Sequence, residues 1–177
     1  MVIEKFIFIN YGLLIILISM SLYTDWKTNK IKNVIVYPFM VVGLILNLVV
    51  GGWIGGLQSF YGIGIPIVLL LIFYIVGAMG AGDLKLFAAI GALMGKDFVL
   101  KTMVVSFISG GFIALGLMII RKNGRQRLKY LINYICMTII SGKINGYTQI
   151  KKDRDGKFPF AVAIFTGVMI MIFLKPL

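Results

Sequence analysis

Apolar positions along this chain fall in long runs, and the polar ones gather in short segments between them. A helix needs about 20 apolar residues to cross the hydrocarbon core of a bilayer. The runs therefore predict spans over Phe6–Tyr23, Val34–Val50, Leu57–Met79, Leu84–Gly95, Phe98–Ile120 and Phe158–Leu174. The first run is longer than the core of a secretory signal, and a basic stretch follows it, so it reads as a span. The fourth is short, since twelve residues of helix rise only ~18 Å. Either it continues past Lys96 and Asp97, or the Gly80-Ala81-Gly82-Asp83 turn before it is recessed below the membrane surface. With no repeat or linker in view, the expectation is a single all-α membrane domain over residues 1–177, a bundle of about six transmembrane helices.

Composition supports lipid as the solvent: 60% of the 177 residues are hydrophobic and only 14% are charged, far from the usual soluble balance. The net charge of +12 changes the picture only through its placement. Lys27, Lys30 and Lys32 follow the first span, and ten basic residues lie within 121–157, after the fifth. The 51–56 connection carries no charge. By the positive-inside rule both basic segments lie in the cytoplasm and the N-terminus lies outside. This distribution argues against nucleic acid and for anionic headgroups as the partner of the basic loops. Within the large loop, Leu128–Ile140 is apolar but short, which suits a helix lying in the interface.

What is missing narrows the chemistry. The chain has no histidine, which excludes Ser-His triads and HExxH zinc sites. The single cysteine, Cys136, cannot form an internal disulfide or a CxxC zinc site. No metal or cofactor is expected, and carboxylate chemistry remains. Of the six acidic residues, Glu4 and Asp97 fall at the outer face, while Asp153 and Asp155 belong to a solvated mixed-charge run. Asp25 and Asp83 remain, both on the cytoplasmic side in this topology. Taken singly, Asp25 could merely stop a span and Asp83 could cap a helix. Converging at one membrane face, they suggest a shared-proton pair. Gly80 and Gly82, lacking Cβ atoms, would permit φ > 0 and leave room for an extended substrate strand. Lys85, two residues beyond Asp83, points elsewhere on a helix and is a candidate substrate contact with reach to the interface.

Gly80-Ala81-Gly82-Asp83-Leu84-Lys85-Leu86 resembles the Gly-x-Gly-Asp signature of the prepilin peptidases, the type IV leader peptidase family of membrane aspartyl proteases. Asp25-Trp26-Lys27-Thr28-Asn29-Lys30-Ile31-Lys32-Asn33 is similar to the segment carrying that family's other catalytic aspartate, with Lys32 in place of a proline. Phe158-Pro159-Phe160-Ala161 resembles the start of the family's final helix. Presenilin-like proteases share Gly-x-Gly-Asp, but their partner acid stands in a Tyr-Asp pair, and here Thr24 separates Tyr23 from Asp25.

The resemblance implies an aspartic endopeptidase that removes a short basic leader from a prepilin-like precursor at the cytoplasmic face of the cell membrane. Its catalytic residues would be Asp25 and Asp83, and its substrate contacts Gly80, Gly82 and Lys85. Lacking the CxxC-rich segment of the larger members, the chain looks like the short form that serves Flp/Tad-type pili or archaeal preflagellins. Two readings from other classes remain open at this point. One is a small ion- or proton-coupled transporter using the same aspartates, although transporter sites usually lie at the midplane. The other is a non-catalytic assembly anchor.

Overall fold

The computed structural model describes residues 2–120 and 160–174. The basic segment 121–157, with its apolar stretch Leu128–Ile140, Cys136, Asp153 and Asp155, lies outside the described residues, as do Phe158 and Pro159. Among the described residues every regular element is a helix: α1 (Val2–Thr28), α2 (Asn33–Ile75), α3 (Ala81–Met94), α4 (Lys96–Ile120) and α5 (Ala161–Leu174). Three helices are long and apolar enough to cross a membrane: α1 over Phe6–Thr28, α2, and α4 over Lys96–Leu117.

α2 is a hairpin written as one helix. Gly52 has φ 60° and ψ −153°, non-helical values inside the 43-residue element and a backbone region open mainly to glycine. The chain reverses there, so that Gly55 lies against the Asn47 carbonyl and Gly56 against the Leu48 side chain. The two limbs, 33–51 and 53–75, run back to back. Pro66 lies buried within the second limb, and Gly52 alone carries the non-helical backbone.

α3 is the centre of the bundle. Nine of its residues, from Leu84 to Leu93, are buried, and both limbs of α2 close on it through small residues. A Cβ on Gly43 would sit 2.8 Å from the Ala92 carbonyl carbon. Gly62 and Gly91 meet backbone to backbone, with no room for a Cβ on either. The last carbonyls of α3, which have no partner in their own helix, are met from α2. Asn47 Nδ2 donates to the Ala92 and Leu93 carbonyls at 3.0 and 3.2 Å, and Ser59 Oγ donates to Ala92 O at 2.7 Å. α3 ends at Met94, Gly95 turns the chain at φ 81°, and α4 starts at Lys96. The fourth span therefore does not continue past Lys96, and its 14 residues rise only ~21 Å.

α4 and α5 pair closely. Gly167 takes the Ser106 side chain against its bare face. Thr166 Oγ1 donates to Ser109 Oγ at 3.0 Å, and the Phe107 and Phe160 rings lie 5.8 Å apart. Leu14, Leu17, Phe87, Leu93, Ile164 and Val168 fill the interior. Outward the protein is apolar: Val49, Trp53, Val68, Ile72, Phe112 and Phe173 are exposed. So much large apolar surface in contiguous bands suits hydrocarbon rather than water.

Candidate active site

Asp25 lies inside α1 rather than at its end. The helix runs a further turn to Thr28 and closes where Asn29 N–H reaches the Asp25 carbonyl at 2.7 Å and Asn29 takes φ 51°, a left-handed cap. The helix thus continues one turn beyond the apolar run that Asp25 follows. The residue is only 7% exposed, and its Oδ2 accepts the Ala161 N–H at 3.3 Å. That donor belongs to the first turn of α5 and lies 136 residues away in the chain. It is one of the N–H groups a helix leaves without an internal partner, and the positive end of the helix dipole favours an anion there.

Asp83 occupies the third position of α3, behind Gly80 at the N-cap. Its Oδ2 accepts the Gly80 N–H at 3.3 Å, which is half of a capping box; a glycine N-cap has no side chain to return the bond. α3 is not among the three helices long enough to span, and Asp83 sits in its first turn. Burial pushes the Asp83 carboxyl up from 3.8 to about 7; the Asp25 charge acts in the same direction, and the Gly80 hydrogen bond opposes both. The two carboxyls thus share one centre, one a turn before the end of α1 and one in the first turn of α3.

Of the two properties expected of the glycines, positive φ is not used. Gly80 has φ −77°, and Gly82 is not among the glycines of positive φ, which are Gly52, Gly77 and Gly95 among the described residues. What they supply is bare space. A Cβ on Gly80 would stand 3.3 Å from Asp83 Oδ2, and one on Gly82 would stand 3.0 Å from the Ile31 Cβ. Gly82 thus receives the loop that follows Asp25. Lys85 extends to that same region, its Nζ donating to Asn33 Oδ1 at 3.1 Å.

Two participants carried no side-chain signal in the sequence. The Ala161 donor is backbone, visible only as the start of the last apolar run. The Ile31–Gly82 contact joins residues 51 positions apart, although both belong to the two motif segments. Among the described residues no group of three or more Cys, His, Asp or Glu could hold a metal.

The fold and the coupled acids define a helical protein of membrane type with an acidic centre between α1, α3 and α5. Residues 11–115 match the model of the type IV leader peptidase family, and this stretch holds Asp25, Asp83 and all of α2 and α3. The chain belongs to that family. It is 30% identical over 111 residues to a prepilin leader peptidase/N-methyltransferase of Vibrio cholerae. The match covers 57% of this chain and 44% of that protein, so this chain spans less than half the length of that relative. No solved structure matches.

Proposed function

We propose that the protein is a membrane aspartic endopeptidase that removes the short leader from a prepilin-like precursor, with Asp25 and Asp83 as its catalytic pair. The observation that carries this is the meeting of the two acids at one centre, Asp25 held by the first turn of α5 and Asp83 in the first turn of α3, where burial and then the Asp25 charge push the Asp83 carboxyl up. One proton between two carboxyls is the state that aspartic catalysis uses. Membership of the leader peptidase family supplies the substrate class.

In this mechanism Asp25, held by the α5 N-terminus, is the ionised member. It takes a proton from a water whose oxygen bonds to the scissile carbonyl carbon, while Asp83 gives its proton to the carbonyl oxygen. The tetrahedral diol then collapses. Asp25 delivers its proton to the leaving nitrogen, a diol hydroxyl returns one to Asp83, and the C–N bond breaks. The precursor passes as an extended strand beside Gly80 and Gly82, at the cytoplasmic face where the basic segments meet anionic lipid. The spans number six, the short fourth beginning just past Asp83.

Purified protein reconstituted with a candidate prepilin tests the proposal. Wild type is expected to cleave; Asp25→Asn and Asp83→Asn are each expected to lose cleavage while still inserting into the membrane. Robust turnover by either variant would falsify it.

A further inference from the structure

Lys85 lies two residues beyond Asp83, and its ammonium is engaged at the protein surface by side chains of its own chain. Nζ donates to Asn33 Oδ1 at 3.1 Å and stands 5.3 Å from the centre of the Tyr37 ring, within the range of a cation–π contact. Asn33 is the first residue of α2, and Tyr37 follows four positions later, on the same face of the helix. One turn of α2 thus presents an amide oxygen and an aromatic face to one cation on α3. Beside it, Ile31 closes on Gly82. The short loop between α1 and α2 is therefore fastened to the first turn of α3 at two points. It is also the loop that leaves Asp25.

We propose that Lys85 is a positioning residue: clasped by Asn33 and Tyr37, it locks the turn that carries Asp83 to the chain that follows Asp25. The clasp holds the two carboxyls in register. Lys85 touches neither the reacting atoms nor the substrate, which refines the expectation that it binds the precursor. The inference rests on the peptidase reading and is separable from it. An ammonium can supply three donors, so one amide oxygen and one ring leave it free to rotate without losing its seat. Arginine, planar and able both to stack on an aromatic ring and to donate to an amide, is the substitution that can keep the clasp.

The test is steady-state cleavage of a reconstituted prepilin by wild type, Lys85→Met, Lys85→Arg, Asn33→Ala, Tyr37→Leu and the Lys85→Met/Asn33→Ala double variant. Misplacing a reacting group by about 1 Å costs on the order of 100-fold in rate. A loosened clasp is accordingly expected to lower kcat roughly 10- to 100-fold in Lys85→Met, with KM changed less than about twofold. Lys85→Arg is expected to recover most of kcat. The double variant should be no more than about threefold worse than the poorer single variant, because both remove one interaction. A rise in KM at constant kcat would make Lys85 a substrate contact and overturn the proposal. So would multiplicative losses in the double variant, or an unchanged kcat in Lys85→Met. If Lys85→Met does not fold, Asn33→Ala and Tyr37→Leu decide by the same split of kcat from KM. Wild type that fails to cleave would sink the peptidase reading itself, whereas active wild type with indifferent clasp variants sinks only this inference.

Discussion

Replacing Asp25 by asparagine and by alanine separates two tasks of one carboxylate. Its Oδ2 accepts the Ala161 N–H at 3.3 Å where α5 begins, and its charge is needed for the proposed chemistry. Asparagine keeps an acceptor oxygen at the same reach and loses only the charge. That change forfeits the charge–dipole attraction at the α5 N-terminus, about 0.3–1 kcal/mol and up to ~2 when partly buried. Alanine removes the oxygen as well and leaves a donor unpaired in the interior, a cost of ~1–3 kcal/mol. Relief from burying an ionised carboxylate is common to both variants and cancels between them. The rather long hydrogen bond favours the lower part of the range, so Asp25→Ala should be less stable than Asp25→Asn by about 1–2 kcal/mol. At ~2–4 °C per kcal/mol for a chain of this size, the transition should fall by several degrees. Thermal unfolding in one detergent or nanodisc preparation reads the difference, and cleavage by the same samples is expected to be lost in both. An alanine variant as stable as the asparagine variant would refute the tie between α1 and α5. Cleavage by either would refute the catalytic role.

The protonation of Asp83 and the packing of α3 each give a further test. Asp83 titrates near 7 in the fold against 3.8 otherwise, so between those values the folded state holds a proton that the unfolded chain releases. Stability should therefore decline as pH rises through that window and level off above about 7, and cleavage should fade on the alkaline side. Asp83→Asn should make the slope shallower; a wild-type stability that is flat across the window would contradict the assignment. Gly91→Ala drives a methyl into the Gly62 backbone, which cannot swing aside, and should cost ~1–3 kcal/mol or more. Gly111→Ala, which meets nothing within 4 Å inside α4, should leave stability unchanged or raise it by up to about 1 kcal/mol. Equal effects from the two alanines in thermal unfolding would show that the α2–α3 contact is looser than described.

The all-helical, membrane-type character was legible because it depends on the length of apolar runs, a property local to each segment. The Gly52 reversal was legible as a connection, since Gly51, Gly52, Gly55 and Gly56 punctuate an uncharged stretch. Its merging with both flanking helices was not, because that depends on one residue's backbone angles. The acids stood out for a different reason: in a chain with six carboxylates and no histidine, elimination leaves few candidates. Gly80 and Gly82 left two roles open, because a glycine signals either a positive φ or a close approach, and composition cannot separate the two. Only coordinates show that Gly82 faces Ile31 and Gly80 faces its own Asp83. The Lys85–Asn33 bond crosses 52 residues, and no periodicity encodes a pairing at that range.

The shortness of α3 follows from where its two ends are held. At one end Asn47 and Ser59 take the last carbonyls, so the helix cannot slide toward the Gly95 turn. At the other, Gly80 is the N-cap and Asp83 bonds back to it, so the helix cannot extend past the acid. A rise of ~21 Å is less than the ~30 Å hydrocarbon thickness. A helix pinned at both ends cannot make up that difference by sliding or extending. Asp25 lies one turn before α1 ends. In the proposed peptidase the burial of the second acid does chemical work. A fully solvated carboxyl would ionise near 4, leaving two anions and no proton to share. Burial pushes the Asp83 carboxyl up to about 7, so a proton is available to the proposed pair near neutral pH. Lengthening α3 by a full turn between Asp83 and Gly91 would lift the acid out of that environment, and cleavage would disappear with both aspartates still present.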